Sequence, residues 1–289
     1  MSSWKGKSIG PILGHKIFVW SLKYLGLSFC YFLLKPVTYF YFLKAKAPRK
    51  ALADFYQHLF QDNLSHRKLI RTNFYVFGQT LVDRVAIGKG LSKKYNFDSK
   101  GRENIHQSFK SGEGCLLISA HLGNWEIAGS ILENDNLDVN VVLYDHENEQ
   151  LKKYLSKQKT QKTVHVIPIK EDFSHLIAIK IALSKGQVVC IHGDRYTEGG
   201  RTIKGEFLGK EAHFPMGPFQ LAAKLKANYN FVFALKNSKF GYQLSCTETK
   251  KETSVDVILK EYIHALEKQV KNYPEQWFNF YNFFEKPTA

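Results

Sequence analysis

Residues 115–134 read CLLISAHLGNWEIAGSILEN. The apolar run 115–120 has the length of a buried strand, and the stretch from 124 onward repeats its apolar positions at helical intervals. Between the two stand His121, Gly123 and Asn124, and a carboxylate, Glu126, follows the histidine five residues on. Gly123 permits a tight turn, and Asn124 can cap the helix that leaves it. A strand that feeds a helix through so short a turn is one half of a βαβ unit.

The same alternation continues outward from this unit. VNVVLY (139–144), VHVIPI (164–169), QVVCIHGD (187–194) and NFVFALK (230–236) are short and apolar; NEQLKKYLSKQK (148–159), FSHLIAIKIALSKG (173–186) and FQLAAKLKANY (219–229) are longer and amphipathic. Strand and helix in succession predict an α/β fold, a mostly parallel central sheet flanked by helices. Antiparallel additions are expected near YQLSCTET (242–249). A final helix over 255–271 leads to the aromatic tail YPEQWFNFYNFF (273–284), and residues from about 51 to 88 read as helical.

The first 50 residues differ. Lys23 and Lys35 bracket an uncharged run of eleven residues, and Pro36 then opens the aromatic run 37–43. Roughly 20 apolar residues are needed to span a bilayer. Two broken apolar helices are therefore expected to lie in or dip into a membrane surface, with Lys44, Lys46, Arg49 and Lys50 at lipid phosphates. No small-residue cleavage site follows the basic start, which argues against a removable signal peptide. The division expected is a membrane-anchoring segment, 1–50, and a catalytic domain, 51–289.

Lys and Arg number 41 against 26 Asp and Glu, a formal charge of +15. Such a field attracts phosphate-bearing partners. Crowding of the 22 Phe and 15 Tyr toward the two ends favours a membrane over nucleic acid, for which neither zinc-finger spacing nor a compact Lys/Arg run is present. Cys30, Cys115, Cys190 and Cys246 are too widely spaced for a C-x-x-C pair, so no metal site and a reduced, cytosol-facing protein are expected.

Ligands of open α/β sheets bind at the carboxyl ends of the strands, where His121 stands. A carboxylate that accepts the Nδ1 proton leaves Nε2 free as a base. Glu126, in the first helical turn, can fold back to play that part. With no serine or cysteine at a nucleophile elbow, the simplest chemistry is activation of an external hydroxyl for attack on an acyl carbon.

AHLGNWE (120–126) resembles the His-x4-Asp/Glu box of the glycerolipid acyltransferase superfamily, in the form used by the late lipid A acyltransferases. KGQVVCIHGDR (185–195) is similar to that family's strand ending in Asp, GEFLGKEAHFPMGPFQLAAKLKAN (205–228) to its F-x-G segment and following helix, and PEQW (274–277) to its closing segment. The resemblance covers nearly the whole chain. It implies an acyltransferase on the cytoplasmic face of the bacterial inner membrane. The acyl group would pass from an acyl-carrier protein or acyl-CoA to a hydroxyl of a lipid A-like acceptor, without a cofactor.

Carried over, His121 is the general base, Glu126 its orienting partner, and Asp194 the strand-end acid. The family's arginine between the box and that acid has no counterpart here, and Lys170 stands nearest. Gly123 and Asn124 at the turn, with Arg195, Arg201 and Lys204 after the strand, complete the expected substrate-binding set, and backbone N–H groups at the Gly123 turn together with a nearby cation are the expected oxyanion donors. Acceptors outside lipopolysaccharide, such as aminoacyl lipids or pigment lipids, keep the same chemistry. A hydrolase, or a catalytically silent lipid-binding protein, does not.

Overall fold

Along β2 (Cys115–Ser119) the side chains alternate between two apolar layers. Leu116 and Ile118 join one buried cluster with Phe214, Phe219 and Tyr262; Cys115 and Leu117 join another with Val188, Val232 and Tyr242. A strand covered on both faces has to be apolar throughout, which is why this run lacks a polar alternation. The computed structural model describes residues 12–101, 103–104, 112–127, 138–144, 164–170, 172–197 and 199–285. The amphipathic stretch 148–159, and the continuation of the helix beyond 127, lie outside them.

Among the described residues, seven strands form the central sheet in the order β1 (Asn96–Lys100), β9 (Gly241–Cys246), β8 (Asn228–Ser238), β2, β5 (Val188–His192), β3 (Val139–Tyr144), β4 (Val164–Ile169). Every neighbouring pair is parallel except β8 with β9. The mostly parallel α/β sheet and the antiparallel addition at 242–249 are thus as read from the sequence. A separate hairpin, β6 (Thr202–Phe207) and β7 (Lys210–Pro215), turns on Leu208 and Gly209, both at positive φ.

Among the described residues, α5 (Ser174–Ser184) packs on β4 and β5, and α6 (Met216–Leu225) and α7 (Val255–Asn272) pack together on the same face, where Ile179, Phe219 and Tyr262 share a buried cluster with Leu116 and Ile118. Four helices come first: α1 (Ile12–Tyr24), α2 (Leu27–Lys44), α3 (Lys46–Phe60) and α4 (Arg67–Gly88).

The N-terminal helices break at a different place from the one expected. Gly26, with φ of +82°, ends α1, and α2 runs on through Lys35 and Pro36. Its stripe of Leu27, Cys30, Tyr31, Leu34, Thr38 and Phe42 is buried, and it packs on α4. Gly78 of α4 makes room: a Cβ there would stand 3.0 Å from the Leu34 and Thr38 side chains. Packing along the whole stripe holds the helix across a proline that would end an isolated one. Residue 50 falls inside α3, and Cys30, Tyr31 and Leu34 share a buried cluster with the sheet residues Leu117 and Val232. No helix among the described residues is long and apolar enough to cross a membrane.

Candidate active site

Parallel pairing sets Ser119 of β2 opposite His192 of β5, so the residues just beyond, His121 and Asp194, emerge side by side at the carboxyl ends of central strands. Gly193 permits the close approach. Its N–H donates to the Ser119 carbonyl at 2.8 Å, and a Cβ there would meet Ile118 and Tyr262 at 2.9 Å. Asp194 is 1% exposed and receives two bonds from His121, Nδ1 to Oδ1 and the main-chain N–H to Oδ2, each 2.9 Å.

With the Nδ1 proton committed to the carboxylate, Nε2 carries the lone pair. Burial alone would raise the Asp194 pKa. The charge and hydrogen bonds of His121, with Arg195 and His192 nearby, instead hold its carboxyl well below the usual carboxylate range. The group therefore stays ionised wherever the imidazole can act as a base.

Behind His121 the turn is fixed by the C-terminal segment. Leu122 bridges Trp277 in antiparallel fashion: the Gly123 N–H donates to Gln276 O at 2.9 Å, and the Phe278 N–H to His121 O at 3.1 Å. The HLGNWE and PEQW stretches thus form one structural unit. Gly123 has φ of +71°, and a Cβ there would fall 2.1 Å from the Ala234 carbonyl, so no other residue fits. The Asn124 N–H donates to that carbonyl at 2.7 Å, and its amide to Thr80 O of α4 at 3.2 Å.

These bonds correct two expectations. The Gly123 and Asn124 amides are spent inside the protein and are not oxyanion donors, and Asn124, 5% exposed, is a buried strut between turn and helix.

The partner of Glu126 differs as well. Its Oε1 accepts from Arg84 Nη1 of α4 at 2.7 Å, with the two side chains 13% and 35% exposed. Nδ1 of His121 points to β5, so the carboxylate bonded to it is that of Asp194 and not of Glu126. Arg84 also brings to Glu126 an arginine from outside the interval where one was sought. The Asn124 strut to Thr80, one helical turn before Arg84, explains how α4 reaches this place.

The ring of His192 lies against that of His121, centroids 4.3 Å apart and planes 34° from parallel, with the Trp125 ring edge-on to His192 at 5.0 Å. Burial first, then the neighbouring His121 and Arg195, push the His192 pKa well below the ordinary histidine value, against the pull of Asp194.

The sequence model of the family described as bacterial lipid A biosynthesis acyltransferase matches residues 12–286. The chain belongs to this family. A search of curated proteins gave no match. Membership makes this an acyltransferase of the kind that works in lipid A biosynthesis, and the resemblance drawn from the sequence is confirmed.

The other expected residues of this family member are dispersed. Arg195 turns inward: its Nη2 donates to the Phe278 carbonyl, and its guanidinium lies over the Tyr281 ring, so it clamps the tail beside the base. Lys204 sits on the hairpin, exposed and paired with Glu211 at 3.1 Å across the strands. Arg201, also exposed, precedes the same hairpin, where its carbonyl accepts from the Met216 N–H. Lys170 follows β4, at the correct end of the sheet but three strands from β2, roughly 14 Å at ordinary strand spacing. Trp277 is a core residue, 1% exposed, against Phe55, Phe207 and Phe283.

His121, His192 and Asp194 each offer a metal-ligating atom, all within 4.8 Å of one another. The two imidazole planes are 34° from parallel, and Nδ1 of His121 is already bonded to Asp194 at 2.9 Å.

Arg84 and His192 were not found from the sequence. For His192 a signal existed: it stands two residues before Asp194 in IHGD, and side chains at i and i+2 share one face of a strand. For Arg84 none did, because α4 reaches the turn only through tertiary contacts.

Proposed function

We propose that this acyltransferase moves a fatty acyl group from an acyl thioester, carried by an acyl-carrier protein or coenzyme A, to a hydroxyl of a lipid A-like acceptor at a membrane surface. The observation that carries the reading is the His121 Nδ1 bond to a buried, ionised Asp194 at 2.9 Å. Nε2 of His121 takes the acceptor's hydroxyl proton as its oxygen bonds to the thioester carbon. The carbonyl becomes an oxyanion. When the intermediate collapses, the C–S bond breaks and the imidazolium returns the proton to the departing sulfur. Asp194 stabilises that imidazolium without taking its proton.

The N-terminal helices support the membrane part of the proposal. Trp20, Phe32 and Phe40 are each more than half exposed on α1 and α2, and Arg71 of α4 lies over the ring of the exposed Tyr39 at 5.1 Å. Aromatic side chains flanked by cations suit the headgroup level of a bilayer. The +15 charge suits both an anionic leaflet and an acidic carrier.

The test is a mass-spectrometric comparison of all lipids from a host carrying the native chain and one carrying His121→Ala at equal protein level. One lipid class should lose a single acyl mass as its under-acylated precursor accumulates. Unchanged lipids, with the variant folded, would overturn the proposal.

A further inference from the structure

The thioester oxyanion needs donors, and the turn beside His121 supplies none from Gly123 or Asn124, whose amides bond to Gln276 and Ala234. His192 is the polar side chain stacked on the base. Its Nδ1 is buried and meets no hydrogen-bond partner. Among the described residues, the titratable and charged groups around the ring are His121, Asp194 and Arg195.

A neutral imidazole carries one N–H, and buried N–H groups left without an acceptor are rare. The proton therefore belongs on Nε2, and the residue keeps partial exposure. With the rings 4.3 Å apart and a ring nitrogen of each within 4.8 Å of the other, the donor stands within reach of a carbonyl attacked at His121.

Building on the acyl-transfer reading, we propose that His192 is a catalytic residue that donates its Nε2–H to the oxyanion of the tetrahedral intermediate while His121 holds the acceptor's proton. Nothing is transferred from His192. The N–H is shared with the oxyanion as it forms and released as the C–S bond breaks. Burial disfavours a second proton on the ring, so it stays a neutral donor, and a preformed donor is the kind of group that lowers such barriers most.

The experiment compares initial rates of acyl transfer for His192→Phe, which keeps a ring for the stack and removes the donor, and His192→Gln, which keeps an amide N–H. His192→Phe should lower kcat by about 100- to 1,000-fold with KM within a few-fold, and His192→Gln should recover at least about tenfold of that loss. The kcat–pH profile should keep its midpoints in both variants, since the donor does not titrate in the working range. If His192→Phe does not fold, His192→Met against His192→Gln gives the same contrast.

A Phe or Met variant within about threefold of native kcat, or a glutamine variant no better than they are, or displaced pH midpoints, would overturn the assignment. His121→Ala is the control. If it alone abolishes transfer, only the role of His192 fails; if it too is active, the acyl-transfer reading has failed.

Discussion

Glu126 meets Arg84 at 2.7 Å, and not His121, although it stands only five residues from the histidine and belongs to the same box. The carboxylate on His121 comes instead from Asp194, at the end of the adjacent strand. Two acids near one base thus have separate tasks: one holds an imidazole, the other a guanidinium.

Arg84 and Glu126 should behave as a unit. Arg84→Ala and Glu126→Gln are each expected to lower kcat/KM, chiefly by raising KM, because an arginine fork a third exposed beside the site suits a phosphate-bearing substrate. The double variant should be little worse than either single one. Steady-state kinetics on the four proteins should give a coupling of about 0.5–3 kcal/mol; simple additivity would show that the two side chains act independently.

Asp194 should make the protein's stability sensitive to acid. Its folded-state pKa is depressed below the usual value, so the ionised form favours the folded chain. That contribution is complete above about pH 5 and is lost as the pH falls toward the depressed folded value. In urea titrations between about pH 3 and 7, Asp194→Asn should show a shallower fall in midpoint with acid than the native chain, and an identical slope would remove Asp194 as the cause.

A buried network under the turn should dominate stability. Asp83, fully buried, accepts from Lys236 Nζ and Tyr95 OH at 2.8 Å each, and from the hydroxyls of Tyr31 and Tyr242; the Asn124 amide in turn donates to Tyr242 at 3.4 Å. Lys236→Met leaves the carboxylate buried without its cation. A loss of about 3–5 kcal/mol is expected, partly recovered by adding Asp83→Asn. Chemical denaturation measures both, and a loss below about 1 kcal/mol would mean that water reaches Asp83.

Gly123→Ala should separate the turn from the rest of the molecule. The added methyl would fall 2.1 Å from the Ala234 carbonyl at a φ of +71°, so the HLGN turn must move. Transfer is expected to be lost with a stability cost of about 1–3 kcal/mol. Native-like activity in this variant would show that the turn's position does not matter to the base.

The strand and turn around His121 were legible because the apolar run ends directly before the histidine and a glycine follows it at the one position that needs a positive φ. Asp194 was legible as a strand-end acid. Its pairing with His121 was not, since that depends on β5 lying beside β2, and strand order is a tertiary property. The same limit applies to the spent amides at Gly123 and Asn124, whose acceptors stand more than a hundred residues away, and to α2, whose contact with α4 carries it through Pro36.

The most direct measurement is the rate of acyl transfer from a thioester to extracted lipid acceptor, with product quantified by mass spectrometry, for Asp194→Asn beside Glu126→Gln. With Asp194 as the partner of the base, Asp194→Asn should lower kcat by about 1,000- to 10,000-fold, because the amide no longer fixes the tautomer that leaves Nε2 unprotonated. Glu126→Gln should lose activity mainly through KM. An Asp194→Asn variant within a few-fold of the native rate, alongside an inactive Glu126→Gln, would contradict this and return the orienting role to Glu126.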